Sequence, residues 1–232
     1  MNIRVGTSGY QYKQWRGGFY PEGCKEKDML AHYGSRLSTV EINNTFYRMP
    51  KESVLTGWVA QVPPNFRFVL KASRTITHIK RLRDCTDAID YLCRTSRVMG
   101  DQLAALLFQL PPNMKRDLDR LAGLLKTVPS DLKVAVEFRH ESWFDDSVYT
   151  LLRDHNAALC TSETDDDGNP LPFVTTADWG YLRLRKETYD DAQLQEWATR
   201  VKAEAWKHGL IFFKHEEQGP LLAERLTEIL SR

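Results

Sequence analysis

No run of about 18 consecutive apolar residues occurs in this chain of 232 residues, so it offers no candidate transmembrane helix. Its first residues, Met1 to Gly9, lack the basic start and apolar stretch of a secretory signal, and a cytoplasmic protein without a membrane partner is expected. Cysteine is scarce. Cys24, Cys85, Cys93 and Cys160 form no C-x-x-C pair and have no closely spaced histidines, which argues against a zinc site or a disulfide framework and for reduced, structural thiols. An excess of one charge is missing too: 32 Lys and Arg against 31 Asp and Glu leave a formal net charge of +1. No global field therefore favours nucleic acid or an anionic membrane, and only a local basic patch could. The G-x-G-x-x-G fingerprint of an open dinucleotide-binding sheet does not follow the first strand. Linkers and internal repeats are absent as well, while 42% hydrophobic and 27% charged residues exclude a wholly disordered chain.

What is present is alternation. Short β-rich runs occupy Ile3 to Gly6, Thr39 to Ile42, Phe66 to Leu70, Leu103 to Phe108, Lys133 to Glu137, Ala158 to Thr161, Gly180 to Leu184 and Leu210 to Phe213. Helical patterns lie between and after them, over Lys25 to Gly34, Ser53 to Val62, Arg83 to Met99, Arg116 to Val128, Ser147 to Asn156, Asp191 to His208 and Pro220 to Leu230. Only the connection after the sixth strand lacks a helix; Glu163 to Pro172 is polar and turn-rich. Eight such units predict one domain over residues 1–232, a closed (β/α)8 TIM-type barrel.

Barrel chemistry gathers where the strands end at their C-terminal side. The fifth strand runs from apolar into charge at Lys133 to Glu141, and period-two alternation puts Ala135, Glu137 and Arg139 on one face. The other ends contribute Tyr10, Glu41, Asn43, Lys71, His78, Gln109, His140, Arg183, Arg185 and Lys214. This mouth is polar and locally basic. Lys71, Arg139, Arg183, Arg185 and Lys214 suit a small phosphorylated or other anionic ligand, with Glu137 or His78 as the catalytic proton carrier. The bland alternative is a structural network in which Glu41 and Glu137 neutralise two of the cations. A glycosidase would use the same two glutamates as acid and base or nucleophile, but Arg139 beside Glu137 favours the ionised form and disfavours an acid.

A metal is not expected, because most strand ends carry Asn, Lys, Gln or Arg, and no other cofactor is indicated. The run Asp165 to Asp167 reads as a solvated turn, since no Glu stands at the twelfth position of a calcium loop. The first loop is aromatic, with Tyr10, Tyr12, Trp15, Phe19 and Tyr20. Those rings, like Trp143, could stack on a sugar or base, as a nucleic-acid-binding barrel requires, or plug one end of the barrel.

These segments resemble the YecE-like family, domain of unknown function 72. The matching stretches are Gly6-Thr-Ser-Gly-Tyr10 with Trp15 and Phe19-Tyr20-Pro21, Val40-Glu-Ile-Asn-Asn-Thr-Phe-Tyr47, Phe68-Val-Leu-Lys71-Ala72 with Ile76-Thr77-His78, Phe108-Gln-Leu-Pro-Pro112, and Val136-Glu-Phe-Arg-His140 with Trp143. The resemblance covers nearly the whole chain and implies a TIM-type barrel, but no activity. After the seventh strand Arg183-Leu184-Arg185-Lys186 replaces the commoner Arg-x-His-Gly. After the eighth, Phe213-Lys214-His215-Glu216 replaces an asparagine-rich turn, and both changes add positive charge or a long donor.

Overall fold

In a computed structural model describing residues 1–163, 172–214 and 217–232, the eight apolar runs pair edge to edge as parallel strands. They are β1 (Asn2–Ser8), β2 (Thr39–Ile42), β3 (Arg67–Lys71), β4 (Leu103–Gln109), β5 (Val134–Glu137), β6 (Ala158–Glu163), β7 (Trp179–Leu184) and β8 (His208–Phe213). Because β8 pairs with β1, no edge is left exposed and the sheet closes as a TIM-type barrel. Helices α1 (Met29–Arg36), α2 (Glu52–Val59), α3 (Thr86–Ser96), α4 (Leu118–Thr127), α5 (Asp146–Asp154), α6 (Asp191–Lys202) and α7 (Gly219–Ser231) accompany it. The link from β6 to β7 carries no helix among the described residues.

Alternation along the strands makes two apolar cores. One lies between sheet and helices. The other fills the lumen with Val69, Ala105, Leu107, Ala135, Ala158, Cys160, Trp179, Tyr181, Leu210 and Phe212. Burying each large side chain contributes roughly 1.5–3 kcal/mol relative to exposure. Strand register, with the one-residue stagger per strand of such barrels, sorts the inward positions into layers of four from alternate strands. Gly6, Val69, Ala135 and Tyr181 share one. The smallness of Gly6 is required, because a Cβ there would lie 2.0 Å from the Thr39 carbonyl oxygen.

Several boundaries differ from the sequence reading. Helix α6 stops at Lys202 instead of reaching His208, because the backbone at Lys207 is drawn into the barrel floor: its N–H donates to Asp178 O at 2.7 Å. Helix α3 ends at Ser96 and tightens into a turn in which Gly100 takes φ 53°, a left-handed conformation suited to glycine. The first-loop aromatics neither stack outward as a group nor plug the lumen. Tyr10, Trp15, Phe19 and Tyr20 are buried in the outer core, where Phe19 packs edge-on against His32 and Tyr33 of α1. Trp143 is likewise core: it stacks on Phe138 at 4.6 Å and donates to Met114 O.

Candidate site at the C-terminal mouth

The inward series of each strand turns polar towards its C-terminal end. Ser8, Lys71, Glu137 and Arg183 share one level, with Glu41 a step below among Leu107, Cys160 and Phe212. Asn43, Gln109, Ser162 and Lys214 come above, by the same count of residues. The centre of this arrangement is Arg183, 1% exposed. One arm of its guanidinium donates to Glu137 Oε2 at 2.5 Å and the other to Glu41 Oε1 at 2.9 Å. Glu137 also accepts from Gln109 at 2.7 Å and from Arg139 Nε at 3.1 Å, and Tyr181 donates to Glu41 at 2.7 Å.

Burial alone would push both carboxyls up, since removing a charge from water is costly. At each that penalty is the largest effect, and Arg183 outweighs it only together with the other partners. Arg139, Gln109 and Lys71 join Arg183 at Glu137, which is lowered to about 2. Glu41 is lowered by Arg183, Tyr181 and Lys71, helped by Ser8 Oγ, which lies beside it but outside hydrogen-bond geometry. Both glutamates are therefore ionised at neutral pH. Cys160, sealed in the lumen beneath them, is pushed far up by burial and the nearby Glu137, so its thiol is inert.

Lys71 is the least satisfied charge of this layer. Burial, followed by Arg183, lowers it to about 8 against the pull of Glu41 and Glu137. No carboxylate stands within ion-pair distance among the described residues; its ammonium lies 4.3 Å over the Phe46 ring. That ring meets His78 edge-on at 4.9 Å. The His78 ring bonds through Nδ1 to Thr77 Oγ1 and is held below its ordinary value by burial, then by Lys71 and Arg139. It sits in a turn of the i→i+5 kind over Thr75–Ile79, a local irregularity that often marks function.

The rim carries the remaining cations. Arg139 is about one-third exposed, and Arg185 Nη1 stands 4.0 Å from Glu137. Lys214 is held below the ordinary lysine range by partial desolvation and then by Arg185, Arg183 and Arg139. Two sequence candidates, Tyr10 and His140, are placed differently. Tyr10 is 7% exposed in the outer core, 6.3 Å from the Tyr33 ring. His140 caps the turn after β5 by accepting from Ser142 N–H through Nδ1, a scaffold role. Asn43 opens the turn after β2, its carbonyl accepting from Phe46 N–H. Asp165 to Asp167, and His215 after β8, lie outside the described residues. No group of three or more His, Cys, Asp or Glu that could hold a metal occurs among the described residues. Nor is any helix of the described residues long and apolar enough to cross a membrane.

Sequence reasoning missed Phe46, Ser162 and Tyr181. Tyr181 and Ser162 were within reach, because strand parity from Arg183 and Cys160 points both inward. Phe46 lies in an irregular turn that no periodicity describes. Ser8 Oγ, Ser162 Oγ and Arg183 Nε are buried without a hydrogen-bond partner among the described residues.

Comparison with known proteins agrees with this architecture. A DUF72 family protein from Thermotoga maritima superposes with a TM-score of 0.87 at 24% identity, each chain covered completely. One from Enterococcus faecalis gives 0.80 at 19% identity, with 99% of this chain and 96% of that one covered. At such identities the likeness concerns the fold. In sequence, the UPF0759 protein YecE of Escherichia coli is 33% identical over 117 residues, half of this chain and 43% of that protein. The UPF0759 protein YunF of Bacillus subtilis is 28% identical over 138 residues, 56% of this chain and 49% of that one. The matched part thus spans about half the length of these relatives or slightly less. The family model for Protein of unknown function DUF72 matches residues 4–232, and the chain belongs to that family.

Proposed function

We propose that the C-terminal mouth binds a small phosphorylated or otherwise anionic ligand and moves a proton on it. The observation that carries this reading is the charge balance among the described residues: there Lys71, Arg139, Arg183, Arg185 and Lys214 face Glu41 and Glu137 alone, and both carboxylates are already engaged by Arg183. A dianion would relieve the surplus. Arg139, Arg185 and Lys214 would meet it at the rim and Lys71 from below, while Ser8, Ser162 and the free Arg183 N–H offer unused polar groups.

Within this reading Glu137 acts as an anchor, since a carboxyl with a pKa of about 2 is a poor general acid and its oxygens hold three partners. His78, neutral near pH 7, is the better proton acceptor, its Nδ1 being oriented by Thr77. Two ionised glutamates bridged by one guanidinium also weigh against a glycosidase pair, which needs one of them protonated. The nucleic-acid alternative loses support because four of the five first-loop rings are buried.

The test is a thermal-shift screen of phosphate and simple sugar monophosphates against wild type and Arg139→Ala. A ligand at 100 times its Kd stabilises by about 2.7 kcal/mol, a shift of roughly 5–10 °C for a domain of this size. The shift is expected in wild type and should largely vanish in Arg139→Ala. Equal shifts in the two proteins reject Arg139 as an anchor.

A further inference from the structure

At the opposite, N-terminal end of the barrel lies a cavity of 610 Å³, within the usual range of small-molecule sites. In this fold that face ordinarily serves stability, and an inward layer there is expected to be apolar and bulky. Here the layer is Arg4 from β1, Arg67 from β3, Lys133 just before β5, and Trp179 from β7. Each lies four residues before its counterpart in the mouth: Ser8, Lys71, Glu137 and Arg183. The apolar lumen separates the two levels.

The three cations lack the partners a structural role would give them. The Arg4 guanidinium makes no hydrogen bond or ion pair with any described residue, and both burial and the proximity of Arg67 disfavour its charge. Arg67 donates to the carbonyls of Pro64 and Phe66, which orient its guanidinium without neutralising it. Lys133 has no carboxylate at ion-pair distance among the described residues, and its ammonium stands 5.7 Å from the Trp179 ring centre. Of the two acidic residues in the cavity wall, Asp131 is taken by Arg97 at 2.7 Å. That leaves Asp101 in the wall, and Asp178 outside it, paired to Lys207 at 2.8 Å but near enough to favour the charge of Lys133, against three converging positive charges.

Like charges gathered in a partly desolvated cavity cost stability unless an anion bridges them. We propose that this cavity is a second ligand site, separate from the mouth, for a small molecule carrying a diphosphate or comparable multivalent anion. Arg4 and Lys133 are its principal contacts and Arg67 a pre-oriented third. Cations on three alternate strands around one axis suit an anion with several oxygens better than a single carboxylate, and the volume accommodates the remainder of such a molecule.

Inorganic pyrophosphate is the probe, titrated into wild type, Arg139→Ala, Arg4→Met and Lys133→Met. Binding is read by calorimetry and by the NMR signal of the Trp179 indole N–H, identified with Trp179→Phe. The expected result is that pyrophosphate moves this signal in wild type and in Arg139→Ala alike, while Arg4→Met and Lys133→Met each weaken binding at this site about tenfold or more. In anion-free buffer these two variants should melt no lower than wild type, since a repulsive charge has been removed; a purely structural role would lower both. Failure of pyrophosphate to move the indole signal overturns the site, as does an unchanged response in Arg4→Met and Lys133→Met. A response lost only in Arg139→Ala would assign the anion to the mouth and equally reject the second site.

Discussion

Arg183 is the residue on which the mouth depends, because its two arms reach Glu137 and Glu41 on strands that sequence separates by 46 and 142 positions. Removing one partner of a buried ion pair leaves an uncompensated charge, typically at a cost of 3–5 kcal/mol. Arg183→Met should therefore lower the urea unfolding free energy by about that amount, and Arg183→Lys by less, since an ammonium keeps a positive charge there although it cannot fork between two carboxylates. A loss below about 1 kcal/mol in Arg183→Met would show that the pairs are not sealed from water. Lys71 gives a second residue-level expectation. Its amine is lowered to about 8, so the charged form that attracts an anion is depleted as pH rises past that value. Sulfate, which does not titrate here, should bind progressively more weakly from pH 7 to 9 in wild type. Lys71→Met should bind weakly throughout and show no such step; a step of equal size in the variant would assign the titration elsewhere.

Elements were legible to the extent that their signals were local. Strand β2 was read with its actual bounds, because Thr39–Ile42 is bordered by Ser38 and the Asn43-Asn44 pair. The start of α6 was clear for a similar reason: Asp190 accepts from Gln193 N–H at 2.8 Å while Gln193 reaches back to Asp190 N–H at 3.0 Å, a reciprocal capping box. Its end was not, since whether Trp206 continues the helix or turns under Gly180 depends on the far side of the sheet. Replacing the cap by Asp190→Ala should cost about 1 kcal/mol in urea unfolding and leave the mouth's anion response intact. The site divides along the same line. Strand ends and parity marked Glu41, Lys71, Gln109, Glu137 and Arg183, whereas the contacts of Phe46 with Lys71 and His78 arise between irregular turns. Parity also pointed Arg4 and Lys133 inward.

At the scale of the whole molecule, a net charge of +1 conceals a polarised interior: cations gather at both ends of a lumen whose middle is apolar. This arrangement fixes how stability responds to acid. Glu137 titrates near 4.5 when free and at about 2 in the fold, a depressed carboxylate; its contribution is fully present above the free value and is lost as pH falls from there through about 2. For a shift of that size the contribution is on the order of 3 kcal/mol. Glu41 is depressed in the same direction by the same arginine, so the two losses overlap in one acid limb. Glu137→Gln, which mimics the protonated side chain, should be less stable than wild type by about that amount at pH 7. The gap should narrow steadily below pH 4.5 and nearly close at pH 2, as followed by urea unfolding across the range. Curves that instead run parallel down to pH 2 would mean that the glutamate's charge is not what Arg183 and Arg139 hold, and the acid limb would have to come from carboxylates outside the mouth.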